Sequence, residues 1–64
     1  MEKVSLRYFK VGVVPVKVEY TEYGARAAYA FENGAFKIDN AYIAEIAKGE
    51  EVEELTKSAF EKLL

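Results

Sequence analysis

Histidine, cysteine, tryptophan and glutamine are absent from this sequence of 64 residues. Without cysteine the chain has no disulfide, no thiolate nucleophile and no thiolate ligand for zinc. Without histidine it lacks the commonest general base and the commonest metal ligand. The hydroxyl candidates besides tyrosine, which are Ser5, Thr21, Thr56 and Ser58, therefore have no imidazole partner, and only a serine–lysine pair remains compatible with the spacing. We predict no catalytic residue and no enzymatic activity.

Long apolar runs and glycine-rich loops are also missing. The longest apolar run, VGVVPV at residues 11–16, is far short of the roughly 20 residues that a membrane-spanning helix needs, so we expect a soluble, cytoplasmic protein without a membrane partner. The four glycines are isolated, and none belongs to a phosphate-binding loop before a helix. The acidic run over residues 50–54 lacks the loop of an EF-hand, and its carboxylates would splay around a helix. We predict no cofactor and no metal site.

Charge and length set further limits. Residues 1–38 contain six Lys or Arg and four Glu, whereas residues 39–64 contain three Lys and seven Asp or Glu. The first part is therefore mildly basic and the second acidic, within a net charge of −2. A chain of this length is expected to form one small domain, residues 1–64, and to bury only about 60% of the surface that its unfolded form exposes. A second copy would add burial, so we expect a homodimer.

The stretch AYAFENGAFKI, residues 28–38, predicts a β-hairpin. Its Asn-Gly pair suits a two-residue type I′ turn, which needs positive φ at both positions. This turn would put two cross-strand pairs on the face that we take as the core: Phe31 with Phe36 and Tyr29 with Ile38.

Two further strands precede this hairpin, because VVPVKVEY and VSLRY both alternate between apolar and other residues. A three-residue loop at residues 11–13 would set three pairs opposite one another: Val4 with Tyr20, Leu6 with Val18, and Tyr8 with Val16. A two-residue turn at residues 23–24 would put Pro15 opposite Glu32. Proline has no N–H for a ladder, and this position lies at a strand end.

After residue 39 the pattern changes to the period of a helix. EEVEELTKSAFEKLL, residues 50–64, has Glu early and Lys late, which favours an α-helix. Its apolar stripe consists of Val52, Leu55, Ala59, Phe60, Leu63 and Leu64. NAYIAEIAKG fits either a helix that Asp39 or Asn40 opens and Gly49 closes, or an alternating strand over residues 42–47. We prefer the helix because alanine is a poor strand former.

These elements predict an α+β fold. Its first part is an antiparallel four-stranded β-meander over residues 3–39, since consecutive hairpins are the simplest connections. One or two C-terminal helices then pack on one face of the sheet, which carries both the aromatic residues and the valines.

In the predicted register the outward face of the sheet is small and basic. Alanine is depleted in strands, so alanines there suggest a low surface on which another backbone lies, with cations at its rim. The candidate partner-binding residues are Arg7, Phe9, Lys17, Arg26, Ala28, Ala30 and Lys37. We predict a non-enzymatic protein-binding module, a small inhibitor or regulator that covers a site on a larger protein and associates with itself.

Two alternatives involve nucleic acid. Basic residues and Phe9 on an antiparallel sheet also suit a nucleic-acid-binding module, although the sequence pI is 5.1. The acidic second part of the chain instead suits a mimic of nucleic-acid charge that occupies the basic groove of another protein.

YIAEIAKGEEVEELTKSAF, residues 42–60, resembles the strand-turn-helix segment of HicB-type antitoxins, in which a strand is followed by a glycine and an acidic helix start. The stretch lacks the Leu-Pro-Gly segment of that family, and the resemblance requires residues 42–47 to be a strand, so we do not assign the chain to it. The resemblance implies an antitoxin-like role, with a partner protein that the chain neutralises.

Overall fold

A computed structural model describes residues 3–64 as an antiparallel sheet of five strands with two short helices. The elements are β1 (Ser5–Val11), β2 (Val14–Thr21), β3 (Gly24–Glu32), β4 (Ala35–Ile38), α1 (Ala41–Lys48), β5 (Val52–Leu55) and α2 (Lys57–Glu61). The strand order is β4-β3-β2-β1-β5, so the first four strands form the predicted meander and β5 adds to the edge of β1. The α+β class is confirmed. Neither helix in the described part of the chain is long and apolar enough to cross a membrane.

The hairpin between β3 and β4 has the predicted turn and register. Asn33 and Gly34 have φ values of 52° and 79°, which a type I′ turn requires. The two predicted cross-strand pairs are present, and the register is Tyr29 with Ile38, Ala30 with Lys37, Phe31 with Phe36 and Glu32 with Ala35.

The hairpin between β1 and β2 differs from its prediction by one residue. Val11 lies opposite Val14, so the loop has two residues, not three, and Gly12 takes its positive φ of 61°. The pairs are therefore Ser5 with Tyr20, Arg7 with Val18 and Phe9 with Val16. Because side chains alternate with a period of two, this single step moves every β1 side chain to the other face relative to β2.

The turn between β2 and β3 also differs from its prediction. Thr21 lies opposite Gly24, so the turn residues are 22–23, and a β-bulge follows between Glu19 and Tyr20. Pro15 lies opposite Lys10, and pairing between β2 and β3 begins only one residue later, so the predicted pairing of Pro15 with Glu32 is wrong. The proline still lies near the end of a strand, where its missing N–H is tolerated.

Residues 52–55, predicted as part of a helix, form β5. Gly49 and Glu51 have φ values of 75° and 54°, which interrupt a helix, and Val52 then pairs with Val11 on β1. The apolar spacing of residues 52–55 suits a helix, but this segment pairs with the otherwise open edge of β1 and becomes a strand. The helix begins later, where the Thr56 side-chain oxygen accepts a hydrogen bond of 3.1 Å from the Ala59 N–H.

Helix α1 has the predicted limits. Asn40 is its N-cap residue, the Asp39 carboxylate accepts a 3.2 Å hydrogen bond from the Ala41 N–H, and Gly49 ends the helix in the left-handed conformation. Because residues 42–47 are helical, the strand that the resemblance to HicB-type antitoxins requires is not present.

The two helices lie on opposite faces of the sheet. The valine–alanine face carries the buried cluster of Phe9, Val16, Val18, Ala28 and Ala30, against which Tyr42, Ile43 and Ile46 of α1 pack. The aromatic face carries Tyr8, Tyr29, Phe31 and Phe36, against which Phe60 of α2 packs. The prediction that valines and aromatic residues share one face covered by both helices is therefore wrong, as a consequence of the register of β1 and the bulge in β3.

Alanine is useful on the valine–alanine face because it lets a helix lie close to the sheet. The Ala28 N–H donates a 3.1 Å hydrogen bond to the Asn40 side-chain oxygen, and the Ala28 carbonyl accepts a 2.8 Å hydrogen bond from the Asp39 N–H. These two bonds fix the start of α1 directly beside β3. The small side chains thus serve the core of the chain itself.

Candidate functional site

The predicted alanine docking face is the main core of the molecule. Ala28 is 0% exposed, Ala30 is 1% exposed and Phe9 is 4% exposed, because all three belong to the buried cluster against which α1 packs. These three side chains are buried in this fold, so they do not form the exposed outward face that the predicted register gave them. The reason is physical: the observed β1–β2 register moves Phe9 beside the valines of β2, and the bulge in β3 does the same for Ala28 and Ala30.

The four cations of the predicted basic face are divided between the two sides of the sheet. Arg7 lies opposite Val18 and Lys37 opposite Ala30, which puts both on the side of the valine–alanine face. Lys17 lies opposite Tyr29 on the aromatic face. The fourth cation, Arg26, lies beside the bulge with its Nε 4.0 Å from the Glu19 carboxylate. The single basic surface that suited nucleic acid is therefore not present.

Arg7 binds within the sheet itself. Its Nε donates a hydrogen bond of 2.8 Å and its terminal nitrogen one of 2.5 Å to the two carboxylate oxygens of Glu54 on β5. The guanidinium also lies 5.4 Å from the ring centroid of Phe9 and 5.2 Å from that of Tyr20. This hydrogen-bonded pair lowers the pKa of Glu54 and raises that of Arg7. The contact fastens β5 to β1, so Arg7 has a structural partner.

The aromatic face is only partly covered. Phe60 of α2 is 2% exposed and its ring centroid lies 4.8 Å from that of Tyr8 and 6.0 Å from that of Phe36. Helix α2 has five residues, too few to cross the whole sheet. Away from it, Leu6 remains 46% exposed and Ile38 64% exposed.

Leu6 and Ile38 lie on the same face of the sheet, with less exposed residues between them. Leu6 lies opposite Glu19 and Glu19 opposite Ala27, while Tyr29 lies opposite Ile38. Since residues two apart on a strand share a face, all five are neighbours on the aromatic side of β1 to β4. We call this surface the open patch and define it as Leu6, Glu19, Ala27, Tyr29 and Ile38, of which Ala27 is buried and Leu6 and Ile38 are the exposed members. In the predicted register Leu6, Tyr29 and Ile38 lie on the core face, so their exposure differs from the prediction.

The polar groups of the open patch are arranged around Tyr29. The neighbouring Glu19 carboxylate raises the pKa of the Tyr29 hydroxyl. At the border with the covered region, the Lys17 ammonium lies 4.1 Å from the ring centroid of Phe36 and 5.8 Å from that of Tyr29. Within residues 3–64, Lys17 makes no ion pair. The open patch is thus bordered by a cation, Lys17, that lies over two aromatic rings.

The signal that could have identified the open patch is Thr56. A threonine followed by Lys-Ser-Ala is a good helix N-cap, and it divides the apparent helix of residues 50–64 into a separate segment and a short helix. A helix that begins there has a single residue, Phe60, buried on the sheet. Because this helix is short, it leaves part of the aromatic face exposed.

A concave surface lies between α1 and the turn that joins β1 and β2. It is a cleft of about 680 Å³, and its acidic lining residues are Asp39, Glu45, Glu50 and Glu51. Burial raises the pKa of Tyr42 in this cleft, and the neighbouring carboxylates raise it further. In the part of the chain that the structure describes, no three carboxylates are grouped so that they could hold a metal ion.

Comparison of the chain with models of protein families, with curated proteins and with solved structures found no match.

Proposed function

We propose that this chain is a non-enzymatic protein-binding module, a small inhibitor or regulator that docks on a larger protein through the open patch and also associates with itself. The observation that carries the proposal is the exposure of Leu6 and Ile38 around a half-buried Tyr29 on a sheet face that α2 leaves partly uncovered. Large apolar side chains that stay exposed on one face are typical of a protein interface.

The composition of the open patch suits an interface. Burying an exposed leucine or isoleucine fully contributes about 1.5–3 kcal/mol, so two such side chains supply a useful part of a binding free energy. Tyrosine is favoured at interfaces because it offers a large apolar ring and a polar end. Glu19 adds a carboxylate to these side chains, and the Arg26 Nε lies 4.0 Å from it.

Lys17 indicates the chemistry of the partner. Its ammonium lies over two aromatic rings and makes no ion pair with residues 3–64, so a carboxylate of a partner would find an available cation there. Charge-assisted hydrogen bonds of this kind are stronger than neutral ones. The partner that fits is a protein surface with apolar side chains and at least one carboxylate beside them.

Affinity capture from a cell lysate with the tagged chain tests this proposal, with Leu6→Glu as the test variant. Its matched control is Val13→Glu, since Val13 is 89% exposed in the turn between β1 and β2, away from the open patch. Both variants should fold, because each changes an exposed side chain. We expect a stoichiometric protein to be recovered with the unchanged chain and with Val13→Glu, and to be lost with Leu6→Glu.

Nuclease treatment and a second variant sharpen the same experiment. Lys17→Met keeps most of the apolar stem and removes the charge, so we expect weaker recovery of a partner with a carboxylate at that position. Recovery that disappears with nuclease would replace the proposal by a nucleic-acid-binding function. Equal recovery with the unchanged chain and with Leu6→Glu would exclude the open patch as the docking surface.

A further inference from the structure

The sheet has two edge strands, and the outer edge of β4 has main-chain groups available for pairing. The Asp39 N–H donates to the Ala28 carbonyl at 2.8 Å, which identifies these two residues as a hydrogen-bonded pair of the ladder. In an antiparallel ladder such pairs alternate, so Lys37 also points its N–H and carbonyl toward β3. The N–H and carbonyl groups of Phe36 and Ile38 therefore point outward, where no other strand of the described chain lies.

The outer edge of β5 is protected by charge. The Gly12 N–H donates to the Glu51 carbonyl at 2.8 Å, and by the same alternation Val52 and Glu54 point their main-chain groups outward. Four carboxylates lie on or beside this edge: Glu50, Glu51, Glu53 and Glu54. Two copies of β5 placed side by side would bring like charges together, which is a common protection against edge pairing.

The edge of β4 has the opposite character. Ile38 is 64% exposed, and the charged side chains next to it are Lys37 and Asp39, of opposite sign. When an antiparallel strand pairs with a second copy of itself about Ile38, Lys37 of each copy lies opposite Asp39 of the other. Two other registers also keep the outward main-chain groups of both copies facing each other. The register about Lys37 sets Lys37 opposite Lys37, and the register about Phe36 sets Lys37 opposite Ala35. The self-paired arrangement about Ile38 is the only one of the three that pairs opposite charges directly.

We propose that two copies of the chain associate through β4, antiparallel, with Ile38 opposite Ile38 on a two-fold axis. The Ile38 N–H of each copy donates to the Ile38 carbonyl of the other, and the five-stranded sheets join into one of ten strands. This proposal specifies the self-association within the proposed function and rests on that part of it. It does not depend on docking to a larger protein.

The joined sheet also has a consequence for the open patch. The two-fold axis of an antiparallel pair stands perpendicular to the sheet, so the aromatic faces of the two copies lie on the same side. Tyr29 and Ile38 of one copy then adjoin Ile38 and Tyr29 of the other in one row across the junction. Two open patches become one continuous surface, twice as long as either.

Hydrogen exchange of single amides, measured by NMR at increasing protein concentration, tests the proposal. From about 10 μM to about 1 mM we expect the Ile38 amide to exchange about tenfold more slowly, since a short edge contact forms a weak dimer. The amides of Val52 and Glu54 on the other edge are the internal control and should not change. A constant exchange rate at Ile38, or slower exchange at Val52 and Glu54, would overturn the proposal.

Two variants separate the main-chain contact from the side-chain contact. Ile38→Pro removes the outward N–H without removing a hydrogen bond inside the chain, so it should stay at the monomer mass of 7.2 kDa where the unchanged chain forms the dimer. Ile38→Val keeps the N–H and should still dimerise. Lys37→Glu, which sets like charges opposite each other, should raise the dimer dissociation constant about tenfold, a test that does not depend on the folding of the proline variant.

Leu6→Glu distinguishes this proposal from docking at the open patch. It lies on β1, away from the β4 edge, and should dimerise like the unchanged chain while losing the captured protein. Sedimentation velocity of all four variants, at concentrations where the unchanged chain dimerises, gives these results. A folded Ile38→Pro that dimerises as well as the unchanged chain would contradict pairing through β4.

Discussion

The two faces of the sheet differ in how the size of the side chains relates to burial. On the valine–alanine face, Ala28 and Ala30 are at most 1% exposed, and an eight-residue helix covers them. On the aromatic face, Leu6 and Ile38 are about half exposed or more, because a five-residue helix covers only one region of it. The closed core thus includes two alanines beside Phe9 and the valines, while the large side chains of Leu6 and Ile38 remain exposed on the other face. Burial depends on the covering element as much as on the hydrophobicity of the residue.

The largest effect is expected from a charged side chain on the valine–alanine face. Ala28→Glu would bury an unpaired carboxylate under α1, which costs several kcal/mol and exceeds what a domain of this size can lose. We expect no cooperative thermal unfolding transition by circular dichroism. Ala44→Glu is the matched control, because Ala44 lies exposed on α1 and the variant should melt like the unchanged chain. A folded Ala28→Glu would mean that α1 does not cover β3.

The sequence predicted a feature correctly where the residues that determine it lie within the feature itself. The Asn33-Gly34 turn and the Gly49 end of α1 were predicted correctly, because each is decided by the backbone preference of the residues at that position. The register between β1 and β2 was not, because β1 has apolar residues on both parities and the loop with Gly12 fits either two or three residues. That step decided which β1 side chains lie beside the valines, and the bulge in β3 set Ala28 and Ala30 beside them.

The fifth strand was missed for a different reason. Val52 and Leu55 are three residues apart, a spacing that suits a helix, and glutamates favour helices over strands. What makes this segment a strand is distant in sequence: the free edge of β1 and the guanidinium of Arg7, which binds Glu54. With residues 52–55 in the sheet, the helix that remains is short, so the open patch follows from the same non-local pairing.

The second test concerns the covered region of the aromatic face. Phe60→Ala removes the one buried side chain of α2 and its contacts with Tyr8 and Phe36, so we expect unfolding to require about 3–5 kcal/mol less free energy. Denaturant unfolding followed by tyrosine fluorescence measures this difference. Leu63→Ala is the control, since Leu63 is 43% exposed and its truncation should change stability much less. Equal effects of the two variants would mean that α2 does not close this region.

The smallest effect is expected from removing the ion pair between Arg7 and Glu54. This pair lies at the edge of the valine–alanine face that α1 does not reach. Because Arg7 lowers the pKa of Glu54 in the folded state, the pair stabilises the fold at pH values above the ordinary glutamate pKa. This contribution is lost as the pH falls through the lowered pKa of the folded state. Both side chains are about half exposed, so the solvent screens the interaction and the effect is small.

Glu54→Gln isolates this contribution. The melting temperature of the variant should lie slightly below that of the unchanged chain at pH 7, and the difference should disappear at about pH 2, where the carboxylate is protonated. Glu53→Gln on the same strand is the matched control, because Glu53 lies on the opposite face from Arg7 and its substitution should not produce this pH dependence. A difference between Glu54→Gln and the unchanged chain that persists at low pH would indicate that Glu54 stabilises β5 by packing. The ion pair would then be incidental, and the attachment of β5 would depend on Val52, Leu55 and the ladder with β1.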